Sequence, residues 1–198
     1  MQAARGASLN PDGDHTRPRS AVRLFVVVAA LVWIIDQTTK IVAVDRLEGR
    51  EAFTVIPDLL WFNLIRNPGA AFGAGTGYTV VLSLVALVVC VVVIRISSRL
   101  RDRLWALGLG LLLAGAIGNL TDRLVRDPGV LRGHVVDFIQ VTQHYPVFNV
   151  ADMSLTFAAI IIVLRSWSGV GIDGTRQADK KDKKDTKDST NPDEDGTA

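Results

Sequence analysis

Apolar residues in this chain come in long blocks, not in the one-faced or alternating patterns of a soluble core. Four blocks have the length of membrane-crossing helices: Ala21–Val44, Tyr78–Ile94, Leu104–Leu120 and about Val147–Leu164. A hydrocarbon core takes about 20 helical residues, within a range of about 17–25, so some of these only just suffice. Their Val, Ile and Thr are no obstacle, because a span in lipid must satisfy its own backbone and does so as a helix. The first block is too long for the apolar part of a cleaved leader, and no small-residue cleavage site follows it, so a retained span is expected.

The polar stretches between the blocks have their own patterns. Phe53–Asn67 mixes aromatic and β-branched residues and runs into Asn67-Pro68-Gly69, which predicts short strands closed by a turn. Its Trp61 and Phe62 suit a membrane–water boundary. The third block carries Ala106, Gly110, Ala114 and Gly118 at intervals of four, a ladder that lets another helix approach closely and is read as packing. From about Gly169 the chain is rich in Lys, Asp, Gly and Thr with almost no apolar residues, and disorder is expected there. The expected layout is a polar arm over 1–20, an all-α membrane domain over 21–168 and a charged tail over 169–198.

Composition adds less than layout. With 198 residues and 48% hydrophobic content a soluble domain is feasible, and the block arrangement is what points to lipid. The formal net charge of +2 hides an uneven distribution and gives no reason to expect a nucleic-acid partner. The single cysteine, Cys90, excludes an intramolecular disulfide framework and a cysteine-based zinc site, and reads as a small apolar helix residue. Arginine sets the orientation. Arg5, Arg17, Arg19 and Arg23 flank the first block, Arg95, Arg99, Arg101 and Arg103 crowd the tight loop between the second and third, and Arg165 follows the fourth. These belong to the cytoplasmic side, so both termini are expected there and the longer loops, about 45–77 and 121–146, outside.

Those outer loops and the adjoining helix ends hold the polar chemistry, and an ionisable group within a span is costly enough to suggest function. Asp36 and Lys40 are four apart on one helix face, either a structural ion pair or part of a site. Asn119, Asp122 and Arg123 end the third block on a similar face and are read as support rather than direct chemistry. Asp137 sits between Val135-Val136 and Phe138-Ile139, and Asn149 and Asp152, three apart, open the fourth block. Two acids in apolar settings near one surface suggest a pair that shares a proton. One member can take a proton from attacking water while the other protonates a carbonyl oxygen, which hydrolyses a peptide without metal or covalent intermediate.

Other chemistries fare worse. There is no His-Glu-x-x-His and no Gly-x-Ser-x-Gly, and Lys40, the only lysine before the tail, has no evident serine partner. His134, Asp137 and His144 make a weak metal set. A proton-coupled carrier using the same aspartates is the alternative from another class, but it would place acids near mid-membrane and usually show an internal repeat.

Five segments in order resemble the bacterial lipoprotein signal peptidases (signal peptidase II): Asp36-Gln37-Thr38-Thr39-Lys40, Asn67-Pro68-Gly69-Ala70-Ala71-Phe72-Gly73, Gly118-Asn119-Leu120-Thr121-Asp122-Arg123, Val136-Asp137-Phe138 and Phe148-Asn149-Val150-Ala151-Asp152. The resemblance covers about residues 22–165. It implies a four-helix membrane aspartic peptidase with a small extracytoplasmic β-platform in the bacterial cell membrane. Such a peptidase removes signal peptides from prolipoproteins just before a diacylglyceryl-modified cysteine. It implies Asp137 and Asp152 as catalytic residues, with Asp36, Lys40, Asn67, Gly69, Asn119, Asp122, Arg123 and Asn149 as support, and no metal or cofactor. Lipidated precursor and membrane lipid are the implied partners. Departures are the Ala114-Gly115-Ala116 form of a motif that often begins Gly-Gly-Ala, and a segment Leu124–His134 a few residues longer than usual.

Overall fold

The computed structural model describes residues 17–69, 78–142 and 145–176. Its element order is α1 (Arg17–Leu47), β1 (Phe53–Ile56), β2 (Leu60–Asn67), α2 (Thr79–Ser97), α3 (Arg103–Val125), β3 (Val135–Val141) and α4 (Val150–Trp167). All four helices are long and apolar enough to cross a membrane, so this is a multi-pass membrane fold with a small sheet. The expected spans are all present with shifted ends. α4 starts at Val150 rather than near Val147 because the Asn149 side chain accepts the Asp152 backbone N–H and caps the helix there. α3 runs past Leu120 to Val125, so Asn119, Asp122 and Arg123 lie within the helix instead of closing it.

α3 is the central helix. Over half of its apolar window, 56%, is buried, against 17% in each of the others, and α1, α2 and α4 all pack on it. Its small residues make this possible. A methyl group at Gly110 would lie 3.0 Å from the Phe25 carbonyl oxygen of α1, and one at Gly115 would lie 2.6 Å from the Ala151 carbonyl oxygen of α4. Within the small-residue ladder Gly110 therefore meets α1 and Gly118 meets both α1 and α4, while Gly108 and Gly115, offset from it, admit α4. The outward faces of α1, α2 and α4 carry exposed Val, Leu and Ile, as lipid-facing helices do.

Beyond one end of the bundle lies a three-stranded antiparallel sheet in the order β1-β2-β3. The pattern of Phe53–Asn67 predicted β1 and β2. The third strand was not read from the residue pattern, because a charged Asp137 interrupts its apolar run. β3 forms by pairing with β2, with Ile65 opposite Asp137 and Asn67 opposite Val135. Val135, Val136, Asp137 and Phe138 are all buried, so β3 is covered on both faces. Val136 and Phe138 pack with Ala43 over the end of α1, joined by Phe62, Leu64 and Val150. After β3 the chain doubles back, and Ile139 and Phe148 exchange backbone hydrogen bonds of 2.9 Å each way. That return delivers Asn149, and with it the start of α4, beside the middle of β3.

At the opposite end the expectation of a disordered tail from Gly169 is corrected for its first residues. Residues 169–176 fold back as a turn bridged between Val170 and Arg176, with Val170 buried and Ile172 packed on the core. The Ile172 carbonyl accepts the Arg101 N–H at 3.1 Å, and the Val170 carbonyl accepts Trp105 Nε1 at 2.9 Å. Two apolar side chains in a polar stretch suffice because Gly169 and Gly174, at φ 68° and 77°, allow the tight reversal. Most of the polar arm, the rest of the tail, the Ala70–Gly73 part of the second motif and His144 lie outside the described residues.

Candidate active site

The polar residues singled out in the sequence converge where the sheet meets the bundle. Asp36 and Lys40, one turn apart on α1, pair at 2.9 Å with both side chains fully buried. Lys40 makes a second ion pair of 2.9 Å with the equally buried Asp122 of α3. A buried charge is tolerated only when paired and hydrogen-bonded, and here each carboxylate has further donors. Asp36 Oδ1 accepts the Ala151 N–H at 2.8 Å, which ties α1 to the first turn of α4. Asp122 Oδ2 accepts the Val136 N–H at 3.2 Å, which ties α3 to β3, and Asp122 Oδ1 pairs with Arg126 at 2.6 Å. The ammonium thus sits at a junction of the strand that carries Asp137 and the helix that carries Asp152.

Around Asp137 and Asp152 three asparagines aim donors at the carboxylates, while Arg123 behind them donates to the Asn119 and Gly69 carbonyls. Asp137 Oδ2 accepts Asn67 Nδ2 at 2.9 Å, and Asp137 Oδ1 accepts Asn149 Nδ2 at 2.6 Å. Asp152 Oδ1 accepts Asn119 Nδ2 at 2.9 Å, and Asp152 Oδ2 accepts the Asn149 backbone N–H at 3.2 Å. Asn149 therefore links the two acids, capping α4 with its oxygen while its amino group holds Asp137. Gly69 serves through its backbone: its N–H holds Asn67 Oδ1 at 2.9 Å and its carbonyl accepts Arg123 Nη2 at 3.1 Å. Burial pushes the Asp137 carboxyl up to about 6. The Asp152 charge adds to the rise, while the Asn67 and Asn149 donors and Lys40 oppose it.

Both acids line one cavity of about 670 Å³. Its walls are Leu82, Val85 and Val89 of α2 on one side and Leu155 and Phe157 of α4 on the other, with Asn119 and Arg123 of α3 behind. α2 packs mainly on α3, so helix packing does not close the space between α2 and α4. An apolar cleft with two convergent acids at its polar end has the form of a ligand site.

The structure gathers every site residue named from the sequence, Asp36, Lys40, Asn67, Gly69, Asn119, Asp122, Arg123, Asp137, Asn149 and Asp152, into this one region. Three contributors were missed. Gln37 donates to Asp36 and to the Gly118 carbonyl, and its place inside the first motif was the available signal. Arg126 pairs with Asp122 at a helical spacing of four that the sequence displays. The Ala151 N–H on Asp36 has no sequence signal, since it joins residues 115 apart.

Comparison with known proteins gives one consistent result. The family model described as signal peptidase (SPase) II matches residues 28–168. A lipoprotein signal peptidase of Rhodococcus jostii (strain RHA1) is 48% identical over 158 residues, which is 80% of this chain and 79% of that protein. One of Streptomyces coelicolor is 43% identical over 166 residues, 84% of this chain and 81% of that protein. Among solved structures, a bacterial membrane enzyme determined by the in meso method at 2.3 Å resolution aligns with a TM-score of 0.62 and 26% identity, covering 88% of this chain and 94% of that one. A second, at 1.9 Å, aligns with a TM-score of 0.61 and 31% identity, covering 71% of this chain and 90% of that one.

Proposed function

The chain belongs to the signal peptidase II family, and from that premise we propose that it is an aspartic endopeptidase that removes signal peptides from diacylglyceryl-modified prolipoproteins, cleaving before the lipidated cysteine. The observation that carries the aspartic assignment is the pair of carboxylates, Asp137 and Asp152, each accepting an N–H on both oxygens and both facing the same cavity. Those bonds hold the acids in place and leave them open toward a bound peptide.

In this reading the pair holds one proton between its members. The ionised carboxylate takes a proton from water as the water oxygen bonds to the scissile carbonyl carbon. The protonated carboxyl gives its proton to the carbonyl oxygen, forming a neutral tetrahedral diol. On collapse the C–N bond breaks as the protonated member gives its proton to the amine nitrogen and the ionised member takes a proton from a diol hydroxyl, so the pair again holds one proton. Asp36, Lys40, Asp122, Arg123 and the three asparagines serve by fixing the two acids, and Gly69 by fixing Asn67 and Arg123. The apolar walls of α2 and α4 suit a substrate that stays in lipid by its acyl chains and its signal helix.

The arginine layout supports placing both termini and the Arg95–Arg103 loop in the cytoplasm of a bacterium, with the site at the outer face of its cell membrane. Reporter fusions that put that loop outside would contradict the orientation. Nothing in the fold or the relatives favours a proton-coupled carrier. The test of substrate class is cleavage by purified protein of one precursor in lipidated and unmodified forms. The expected product starts at the lipidated cysteine and comes only from the modified precursor. Equal cleavage of both forms would overturn the assignment.

A further inference from the structure

An asparagine side chain can be turned over to exchange its oxygen and its amino group, so an amide that must donate needs a neighbour that forbids the exchange. Each asparagine around the two acids has such a neighbour, a group with donors and no acceptor. The Gly69 N–H occupies Asn67 Oδ1 and the Asp152 N–H occupies Asn149 Oδ1, both at 2.9 Å. These are backbone groups placed by the fold. For Asn119 the corresponding neighbour is a side chain, the Lys40 ammonium, 3.2 Å from Asn119 Oδ1. Asn149 Nδ2 spends one hydrogen on Asp137 at 2.6 Å and points the other at that oxygen over a longer 3.3 Å, so it seconds the ammonium. Turned over, Asn119 would set its amino group against the ammonium and its oxygen against Asp152.

We infer that Lys40 is a positioning residue for the hydrolytic step, acting through Asn119 to keep an N–H donor on Asp152. This rests on the reading of Asp137 and Asp152 as the catalytic pair. The geometry separates the role from the ion pairing that Lys40 also performs. Its contacts with Asp36 and Asp122 join helices and strand, whereas its contact with Asn119 leads on to Asp152 Oδ1, and among the described residues Asn119 is the one side chain that bonds both Lys40 and Asp152. Among the described residues, the charged or titratable groups around the two acids are Lys40, with its partner Asp36, from α1, Asp122 and Arg123 from α3, and Tyr145 ahead of α4. α2 brings only apolar side chains to the cavity.

The experiment is a set of pH–rate profiles on purified, folded protein with a lipidated precursor. Lys40→Met and Asn119→Ala should each lower kcat by roughly 10–100-fold, the range for supporting groups at a metal site carried over by analogy. KM should hardly change. Because both act on one bond, the double variant should be little worse than either single one. Multiplying losses would overturn the inference. Lys40→Met strands two buried carboxylates and can fail to fold, so Asn119→Asp provides an independent reading. It keeps a partner for the ammonium but turns an oxygen toward Asp152, and it regains a donor only when protonated. Its activity relative to the unaltered protein should therefore rise as pH falls. A constant ratio across pH would overturn the inference. Unaltered cleavage by Asp152→Asn would instead remove the catalytic reading on which it rests.

Discussion

Both ends of the helix bundle are tied by ion pairs, and the ties differ in kind. At the end that carries Arg95–Arg103, Asp102 caps α3 by accepting the Trp105 N–H and holds Arg165 of α4 through both guanidinium and carboxylate. The pair is partly open to solvent, its bonds begin and end on structural groups, and the turn over 169–176 closes the neighbouring backbone. At the other end Lys40, Asp36 and Asp122 are fully buried, and the chain of donors that starts there runs through Asn119 to an acid on an open cavity. A structural tie satisfies itself. A network whose donors converge on two carboxylates that line a cleft is organised for something that binds there.

The comparison can be broken first at the buried end. Asp122→Ala removes partners from Lys40, Arg126 and the Val136 N–H together, and leaves a buried ammonium with one carboxylate fewer. Breaking a buried pair by deleting one partner costs about 3–5 kcal/mol, so thermal unfolding in detergent should show a large loss of stability with cleavage falling alongside it. Near-normal stability would mean that the network is not what joins β3 to α3.

The opposite end should respond differently. Truncation after Arg176 should change neither stability nor cleavage, whereas truncation after Ser168 removes the buried Val170 and should cost about 2 kcal/mol, the scale of burying one such side chain. Molecules that remain folded should cleave at the full rate with an unshifted pH profile. A changed profile would show that the two ends are coupled, against the contrast drawn above.

The smallest effect sharpens the site itself. The Asn67 donor favours the charged form of Asp137, whose carboxyl stands at about 6. In Asn67→Ala that carboxyl should hold its proton to higher pH. The limb of kcat/KM that falls as Asp137 ionises should then move upward by up to about one pH unit, the equivalent of one hydrogen bond to a charged group. No movement, or movement downward, would mean that this limb does not report Asp137.

How much of this was legible before the fold was known follows from the range of the interactions. Helical spans depend on local hydropathy, so their blocks were visible and only the ends moved, as at Asn149, where a side-chain cap decides the boundary. Asp36 with Lys40 and Asn149 with Asp152 share helix faces at spacings of four and three, and both pairs were readable. β3 was not readable from the residue pattern, because its partner β2 lies far away in sequence and its central residue is an acid. Likewise no local pattern announces that Asn67 serves Asp137 across 70 residues or that Lys40 reaches Asn119 across 79. The folded turn after Ser168 was hidden by composition, since Val170 and Ile172 are its only large apolar residues.

The central claim is that Asp137 and Asp152 act as one acid–base pair. Asp137→Asn and Asp152→Asn preserve size and much of the hydrogen bonding while removing ionisation, so the direct measurement is cleavage of a lipidated precursor by each purified, folded variant and by the double variant. The account predicts that either single change abolishes turnover nearly as completely as both together, while the precursor still binds. Cleavage near the unaltered rate by either single variant would contradict it.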